Sequence, residues 1–415
     1  MNIYAVIILL ALLLEYTLNL VADLLNVRAL RSELPEEFVG VYDAAAYRNS
    51  QEYTRVQSRF GVLTSTSMLA ATLAFWFLGG FQALDAFVRA WGWGPIGTGL
   101  AYIGLLMLGK SLLSLPFTLY DTFVIEARFG FNTMTFRTWC TDMLKGLGLA
   151  LGLGVPLLAG VLAFLTYGGP YAWLYCWLGM TVVSLALQWL APTWIMPLFN
   201  RFTPLAPGAL KEAILGYART VHFPVEEVFV MDGSRRSSKS NAFFTGFGKH
   251  KRIALFDTLV AGHTIPELVA VLAHEIGHYK MRHILRGTVL SVLHMGVMFF
   301  FLAIFLQHTG LFQAFYVQQP AVYTGLVFFG LLYTPIELLL SMGLQMISRR
   351  HEYEADRYAL ETYHEPAALA QALQKLSVHN LANLTPHPFY VFLHYSHPPM
   401  LQRLRAIQRA TVPQT

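Results

Sequence analysis

Apolar residues gather along this chain into seven long blocks divided by short polar stretches. The blocks lie near 4–24, 61–81, 98–120, 146–167, 171–192, 286–308 and 320–346. Each approaches the roughly 20 residues that cross about 30 Å of hydrocarbon, so the pattern predicts seven transmembrane helices. "QALDAFVRAWGWGPIG" (82–97) reads as either an interfacial helix or a loop. The first block begins at Tyr4 with no basic residue before it and holds Glu15 and Asn19, which is unlike a cleaved signal peptide. Charges facing lipid are costly, so Glu15, Lys110 and Glu337 are expected to face the interior, where they pair or line water.

Between the fifth and sixth blocks the pattern changes, and roughly 201–284 reads as a soluble insertion. Two short β-rich runs, "PVEEVFVMD" (224–232) and "HKRIALFD" (250–257), flank the Ser-rich turn "GSRRSSKSNAFFTGFG" and predict a small two-stranded sheet. Thr264 and Glu267 then form a capping box with Pro266 in the first turn, starting a helix that runs through His274 and His278 toward Arg282. Beyond the seventh block, "SRRHEYEADRYALETY" (348–363) keeps an amphipathic helical pattern. "HYSHPPMLQRLRAIQ" (394–408) breaks at Pro398 and Pro399 and resumes as helix. The expected architecture is mainly α, a polytopic membrane protein, with residues 1–200 forming a five-helix membrane domain and 201–415 a second domain with two further spans.

Composition agrees with this and narrows it. With 55% hydrophobic and 13% charged residues, a purely soluble chain is excluded. The two cysteines, Cys140 and Cys176, supply neither a disulfide framework nor a thiolate metal site. A net charge of +5 does not imply nucleic acid, because the basic residues sit in membrane-flanking loops. They cluster after the first, third and fifth blocks and from Arg349 onward, whereas the alternate loops hold only Arg89, which puts those loops and the C-terminus in the cytoplasm.

The candidate chemistry lies in "VLAHEIGHYKMRH" (271–283), where His274 and His278 stand one helical turn apart on one face with Glu275 between them. Such a pair can hold zinc, and a catalytic zinc needs a third protein ligand and an open position. "HEYEAD" (351–356) offers Glu352 or Glu354, which point about 200° apart on a helix, so only one can face the ion. Asp356 shares the face of Glu352 and could accept the N–H of a ligating histidine. Glu275 is then the natural general base for activating water against a peptide carbonyl, and His397 and Arg403 are candidate donors to the developing oxyanion. This makes the 201–415 region a small α+β zinc metallopeptidase portion with one Zn2+ per chain and a peptide or protein substrate.

At these residues the chain resembles the zinc-dependent type I CAAX prenyl proteases, integral membrane metalloendopeptidases. The matching stretches, in order, are "EARFGFN" (126–132), "APTWIMPLFNRFTPL" (191–205), "SNAFFTGFGKHKRIALFDTL" (240–259), "HEIGH", "SRRHEYEAD" and "HYSHPPMLQRL". The resemblance implies seven helices around a large water-filled chamber with zinc at its cytoplasmic end. It implies His274, His278 and Glu352 as ligands, Glu275 as base and Asp356 as the partner behind a ligand. It also puts His397 and Arg403 beside the scissile bond, and Asn241 and Ala242 on a strand edge that binds substrate backbone. Lys239 stands where the family more often has His, which bears on substrate preference. The substrate implied is a C-terminus that can be prenylated. A membrane-protein quality-control protease and a non-catalytic zinc-binding scaffold or transporter are the alternatives. Short loops and the lack of a retention-type tail point to a prokaryotic inner membrane.

Overall fold

The computed structural model describes residues 1–225, 227–245 and 252–411. Among the described residues, seven helices are long and apolar enough to cross a membrane: Ile3–Arg28, Ala44–Phe77, Pro95–Glu126, Phe136–Tyr167, Gly169–Phe199, His283–Phe305 and Val322–Tyr363. Every predicted span falls on one of them, and most of the helices run well past the apolar block. Hydropathy marks only the stretch that lipid covers, whereas capping decides where the helix starts. The second span shows this: its carboxylate cap Asp43 accepts the N–H groups of Ala45 and Ala46, each at 2.7 Å, long before the apolar block begins. A single π-helical turn interrupts the third, fourth and fifth spans, at Asp121–Glu126, Ala150–Gly154 and Ala191–Ile195. The ambiguous stretch after the second span is a helix at Gly80–Arg89, with Phe81 and Val88 buried. Glu15 and Lys110 line a cavity of about 1270 Å³ among the first, second, third and seventh spans. Glu337 lies 3.0 Å from His294 of the sixth span.

The soluble part carries a four-stranded sheet in the order β1-β2-β4-β3, with β1 at Phe202–Pro204, β2 at Glu227–Met231, β3 at Ala242–Thr245 and β4 at Arg252–Phe256. The expected two strands are its central, parallel pair, aligned Val228 to Ile253 and Met231 to Phe256. Residues 226, 250 and 251 of those two runs lie outside the described residues. The expectation of two strands is corrected by the flanks, β1 antiparallel to β2 and β3 antiparallel to β4. Both flanks are short, β1 ends in a proline, and β3 begins inside the Ser-rich stretch read as a turn, so neither shows a period of its own.

Five helices frame the site: α1 (Ile265–Lys280), α2 (His283–Phe305, the sixth span), α3 (Val322–Tyr363, the seventh), α4 (Pro366–His379) and α5 (Met400–Thr411). The helix expected at 348–363 is not separate from the seventh span, because no breaker stands between them; α3 is continuous over 42 residues. Helix α1 is the hub of the soluble core. Leu268, Leu272 and Ile276 are buried against Ile253 and Leu255 of the sheet, Leu369 and Leu373 of α4, and Leu404 and Ile407 of α5. Phe38 and Tyr42, from the loop between the first two spans, and Tyr47, in the first turn of the second, enter this same core.

The start of α1 is pinned as expected: Glu267 accepts the Thr264 N–H at 2.8 Å and pairs with Lys375 Nζ at 2.8 Å. Burial opposes ionisation of Glu267, but Lys375 and the Thr264 amide outweigh it and hold the carboxyl below its ordinary value. A carboxyl held low in the folded state stabilises above its unfolded pKa, and that gain is lost as pH falls through the folded value. We therefore expect Glu267→Gln to cost about 1.5–3 kcal/mol at pH 7. Thermal unfolding in detergent should show the gap between variant and parent closing as the pH is lowered below the usual carboxylate range.

Candidate active site

The ligand-type side chains meet because α1 and α3 pack at very short range. A Cβ on Gly277 would stand 3.1 Å from both the Cα and the carbonyl oxygen of Ala355, and 3.2 Å from Tyr358 Cβ, tighter than ordinary van der Waals contact. At that approach the α1 face carrying His274 and His278 looks directly onto the α3 face carrying Glu352 and Asp356. His274 Nε2 is 3.2 Å from His278 Nε2 and 3.4 Å from Glu352 Oε2, and His278 Nε2 is 3.3 Å from Glu352 Oε1. Glu354 faces elsewhere, toward His283 at 3.0 Å, so the choice between the two glutamates falls on Glu352 as the one beside the histidines.

These three side chains fit a metal ion. Two imidazoles and a carboxylate are zinc donors, and the edges of a tetrahedron with zinc–nitrogen bonds of 2.0–2.1 Å are about 3.3–3.4 Å, close to the spacings above. Glu352 Oε2 is buried and has no hydrogen-bond partner, although His274 Nε2 and Arg403 Nη1 lie 3.4 and 3.3 Å away. A buried carboxylate oxygen with no hydrogen bond is costly, and a bound cation would add to what Arg403 supplies.

Behind the histidine stands the expected partner. Asp356 Oδ1 is 2.8 Å from His274 Nδ1, which turns Nε2 of that ring toward Glu352. Arg403, buried at 6% exposure, grips both Asp356 oxygens, Nε to Oδ2 at 2.8 Å and Nη2 to Oδ1 at 2.6 Å. Its fork is thus committed to Asp356, while Nη1 reaches Glu352 at 3.3 Å. Burial pushes the His274 imidazole down, but hydrogen bonds to Asp356 and Glu352 outweigh this and lift it to about 9. Desolvation pushes the Glu275 carboxyl up, against the pull of the two histidines. His397 is exposed, with Nε2 3.3 Å from Glu352 Oε1 and Nδ1 2.9 Å from Ser396 Oγ.

His274, Glu275, Glu352, His397 and Arg403 border one cavity of about 560 Å³, whose lining also includes Asn241 and Ala242. Ala242 opens β3, the edge strand of the sheet, and the Asn241 carbonyl accepts the Phe256 N–H at 3.1 Å. Two features escaped the sequence reading. Lys239 is not loose in the cavity wall: its Nζ pairs with Glu126 Oε2 at 2.8 Å, donates to Tyr53 OH at 2.9 Å, and lies 4.4 Å from the Phe131 ring centre. The "EARFGFN" stretch is therefore a clamp on that wall. Arg236 likewise binds Asp142 at 2.8 Å and Asn200 Oδ1 at 2.9 Å, tying "APTWIMPLFN" to the same segment. Both clamps join residues far apart in the chain, and only their charged character was visible locally.

A polytopic helical fold with a histidine pair, a facing carboxylate and a strand edge in one cleft defines a membrane metalloprotease. The match to known proteins is equally direct. Residues 204–411 match the model for peptidase family M48, and residues 23–201 match that for the CAAX prenyl protease N-terminal region of five membrane helices. A CAAX prenyl protease 1 homolog of Oryza sativa subsp. japonica is 36% identical over 409 residues, covering 96% of each chain. The CAAX prenyl protease 1 of Saccharomyces cerevisiae is 35% identical, covering 91% of this chain and 88% of its own. The crystal structure of S. mikatae Ste24p superposes with a TM-score of 0.93 at 32% identity, covering 98% of this chain and 99% of that one. The chain belongs to the CAAX prenyl protease family of M48 metallopeptidases. It is an integral, multi-pass membrane protease whose substrates are peptides or proteins, and the family implies a metal, generally zinc.

Removing one partner of a buried ion pair leaves the other charge uncompensated and costs about 3–5 kcal/mol. Arg403→Ala should therefore lower the unfolding temperature clearly, through Asp356. An unchanged melting curve would show that the guanidinium does not hold Asp356 in solution.

Proposed function

We propose that this protease cuts near the C-termini of protein substrates, prenylated C-termini among them, using one zinc ion per chain held by His274, His278 and Glu352. The observation that carries this reading is the grouping of those three side chains, two of which, His274 and Glu352, line one cavity with Glu275 and the start of β3. The printed names of the relatives support the prenylated substrate class. When bound, zinc supplies Lewis acidity to the substrate carbonyl and to water.

The chain's own residues do the rest. Asn241 and Ala242, at the start of the edge strand, take the extended substrate backbone by strand addition, which presents the scissile carbonyl in a fixed register. Glu275 accepts the proton of the attacking water at its carboxylate, whose basicity burial has raised, and delivers it to the leaving amine. Asp356 accepts the Nδ1 proton of His274 and so keeps Nε2 bare toward the site. His397, at the open side of the cavity, donates to the oxyanion of the tetrahedral intermediate. Arg403 acts through Asp356 and Glu352, which it holds in place, and its positive charge offsets part of theirs. In this reading the chain divides into a membrane domain, 1–200, and a peptidase domain, 201–415.

Farnesylated and unprenylated C-a-a-X peptides incubated with the purified protein, with the products read by mass spectrometry, test the substrate class. Cleavage of both at equal kcat/KM would remove the lipid from recognition. Glu275→Gln should keep one zinc and lose cleavage, whereas Glu352→Ala should lose the zinc and Glu354→Ala should keep it. His397→Ala should lower kcat by about 10²–10³ with little change in KM. A zinc-loaded, folded His397→Ala protein with parental kcat would take His397 out of the reaction.

The positive loops support a cytoplasmic site with the N-terminus on the opposite side. A prokaryotic inner membrane remains part of the proposal, and the relatives named above are from a plant and a yeast. Five spans separate Glu33 from Thr309. Cysteines placed there, in a chain whose own two cysteines are changed to serine, should thus label from opposite sides, Glu33→Cys from the cytoplasm. Same-side labelling would overturn the orientation.

A further inference from the structure

The two site histidines differ in what stands behind them. His274 has Asp356, whereas His278 turns its Nδ1 away from α3 and toward the reversal that joins α1 to α2. Arg282 in that reversal has φ 58°, a left-handed conformation that turns the chain back at once. His283, the first residue of α2, is thereby brought under the end of α1 and buried at 5% exposure. Its Nδ1 lies 3.1 Å from His278 Nδ1, and its Nε2 lies 3.0 Å from Glu354 Oε2. Glu354 is itself held by Arg350 at 3.0 Å and Arg286 at 3.7 Å.

The proton positions follow from the partners. A carboxylate only accepts, so His283 must carry its proton on Nε2 and donate it to Glu354. In the neutral ring Nδ1 of His283 is then a bare lone pair, and the contact at 3.1 Å needs a proton from the other side. That proton is on His278 Nδ1, which leaves Nε2 of His278 bare and pointing at His274 and Glu352.

We infer that His283 and Glu354 are positioning residues for the metal centre, a histidine–carboxylate relay that fixes the tautomer and aim of His278 as Asp356 does for His274. This rests on the reading of His278 as a metal ligand through Nε2. The cluster of His283, His351 and Glu354 has the composition of a second ion site, with ligand atoms within 4.8 Å of one another. The rings argue against that use. His283 and His351 stack face to face, with centroids 3.9 Å apart and planes at 9°. An imidazole binds a metal in its own ring plane, so two stacked rings do not converge on one ion. His351 instead braces the His283 ring from its face.

The test is zinc affinity, measured on the full-length protein in detergent by chelator competition, with zinc content and unfolding temperature followed alongside. Losing a partner of this kind typically weakens metal binding about 10–100-fold. His283→Leu is expected to show that loss. His283→Asn, whose amide oxygen can stand near the Nδ1 position and accept from His278, is expected to recover most of it. Glu354→Leu, at a half-exposed position that a folded chain tolerates, is expected to keep its zinc but bind it about tenfold more weakly. Parental affinity in both His283→Leu and Glu354→Leu overturns the inference, as does equal loss in the Leu and Asn variants, which would make His283 a packing residue. Two zinc ions per parent chain, with one lost in His283→Leu, would overturn it in favour of a second site. Undiminished zinc in His278→Ala would instead remove the ligand reading on which the relay depends.

Discussion

The close approach of α1 and α3 at Gly277 and Ala355 is the constraint on which the site depends. Two helices whose backbones nearly touch allow side chains one turn away to meet at ligand distance without reaching. A side chain at 277 would press on Ala355 and Tyr358 of α3, one turn from Glu352 and beside Asp356. The intervening Ile276, fully buried in the core, presses the same helix from its other side. Packing and chemistry are thus set by adjacent residues of one short motif.

Electrostatics supplies the second requirement. Three carboxylates, Glu275, Glu352 and Asp356, gather around a single guanidinium, Arg403, in a largely buried place. With all of them ionised, two negative charges remain uncompensated, the charge of one divalent cation. The same carboxylates, Asp356 and Glu352, raise the His274 imidazole. A centre of this kind is expensive to bury, and the apolar mass of α1, α4, α5 and the sheet surrounds it on the protein side.

Much of this was legible in the sequence, for identifiable reasons. The spans were visible because lipid demands an unbroken apolar run, and the histidine pair because one helical turn fixes its geometry. Periodicity put Asp356 on the face of Glu352 but left Glu354 as a competitor, and the family resemblance favoured Glu352. The strands β1 and β3 were not visible, because a short edge strand owes its existence to a neighbour and carries little pattern itself. Arg403 was noticed, but not its commitment to Asp356, since the two lie 47 residues apart and only packing brings them together. The clamps of Glu126 on Lys239 and of Asp142 on Arg236 were hidden for the same reason. His283 was hidden differently. Its neighbour His278 is five residues away in sequence, but only the left-handed turn at Arg282 folds the one ring back onto the other.

The length of α3 has a mechanical meaning. It runs without a break from Val322, within the hydrophobic block, to Tyr363, carrying Glu352 and Asp356 on its polar end. At 1.5 Å per residue the rod is about 63 Å long, twice the thickness of the hydrocarbon layer. Past Pro335 it has no proline or glycine other than Gly343 at which to bend. A tilt of the membrane half is therefore a swing of the other half: about 5° over the roughly 25 Å between Pro335 and Glu352 displaces the carboxylate by about 2 Å, comparable to a ligand bond. The membrane half of α3 and the end carrying Glu352 and Asp356 are thus one continuous lever.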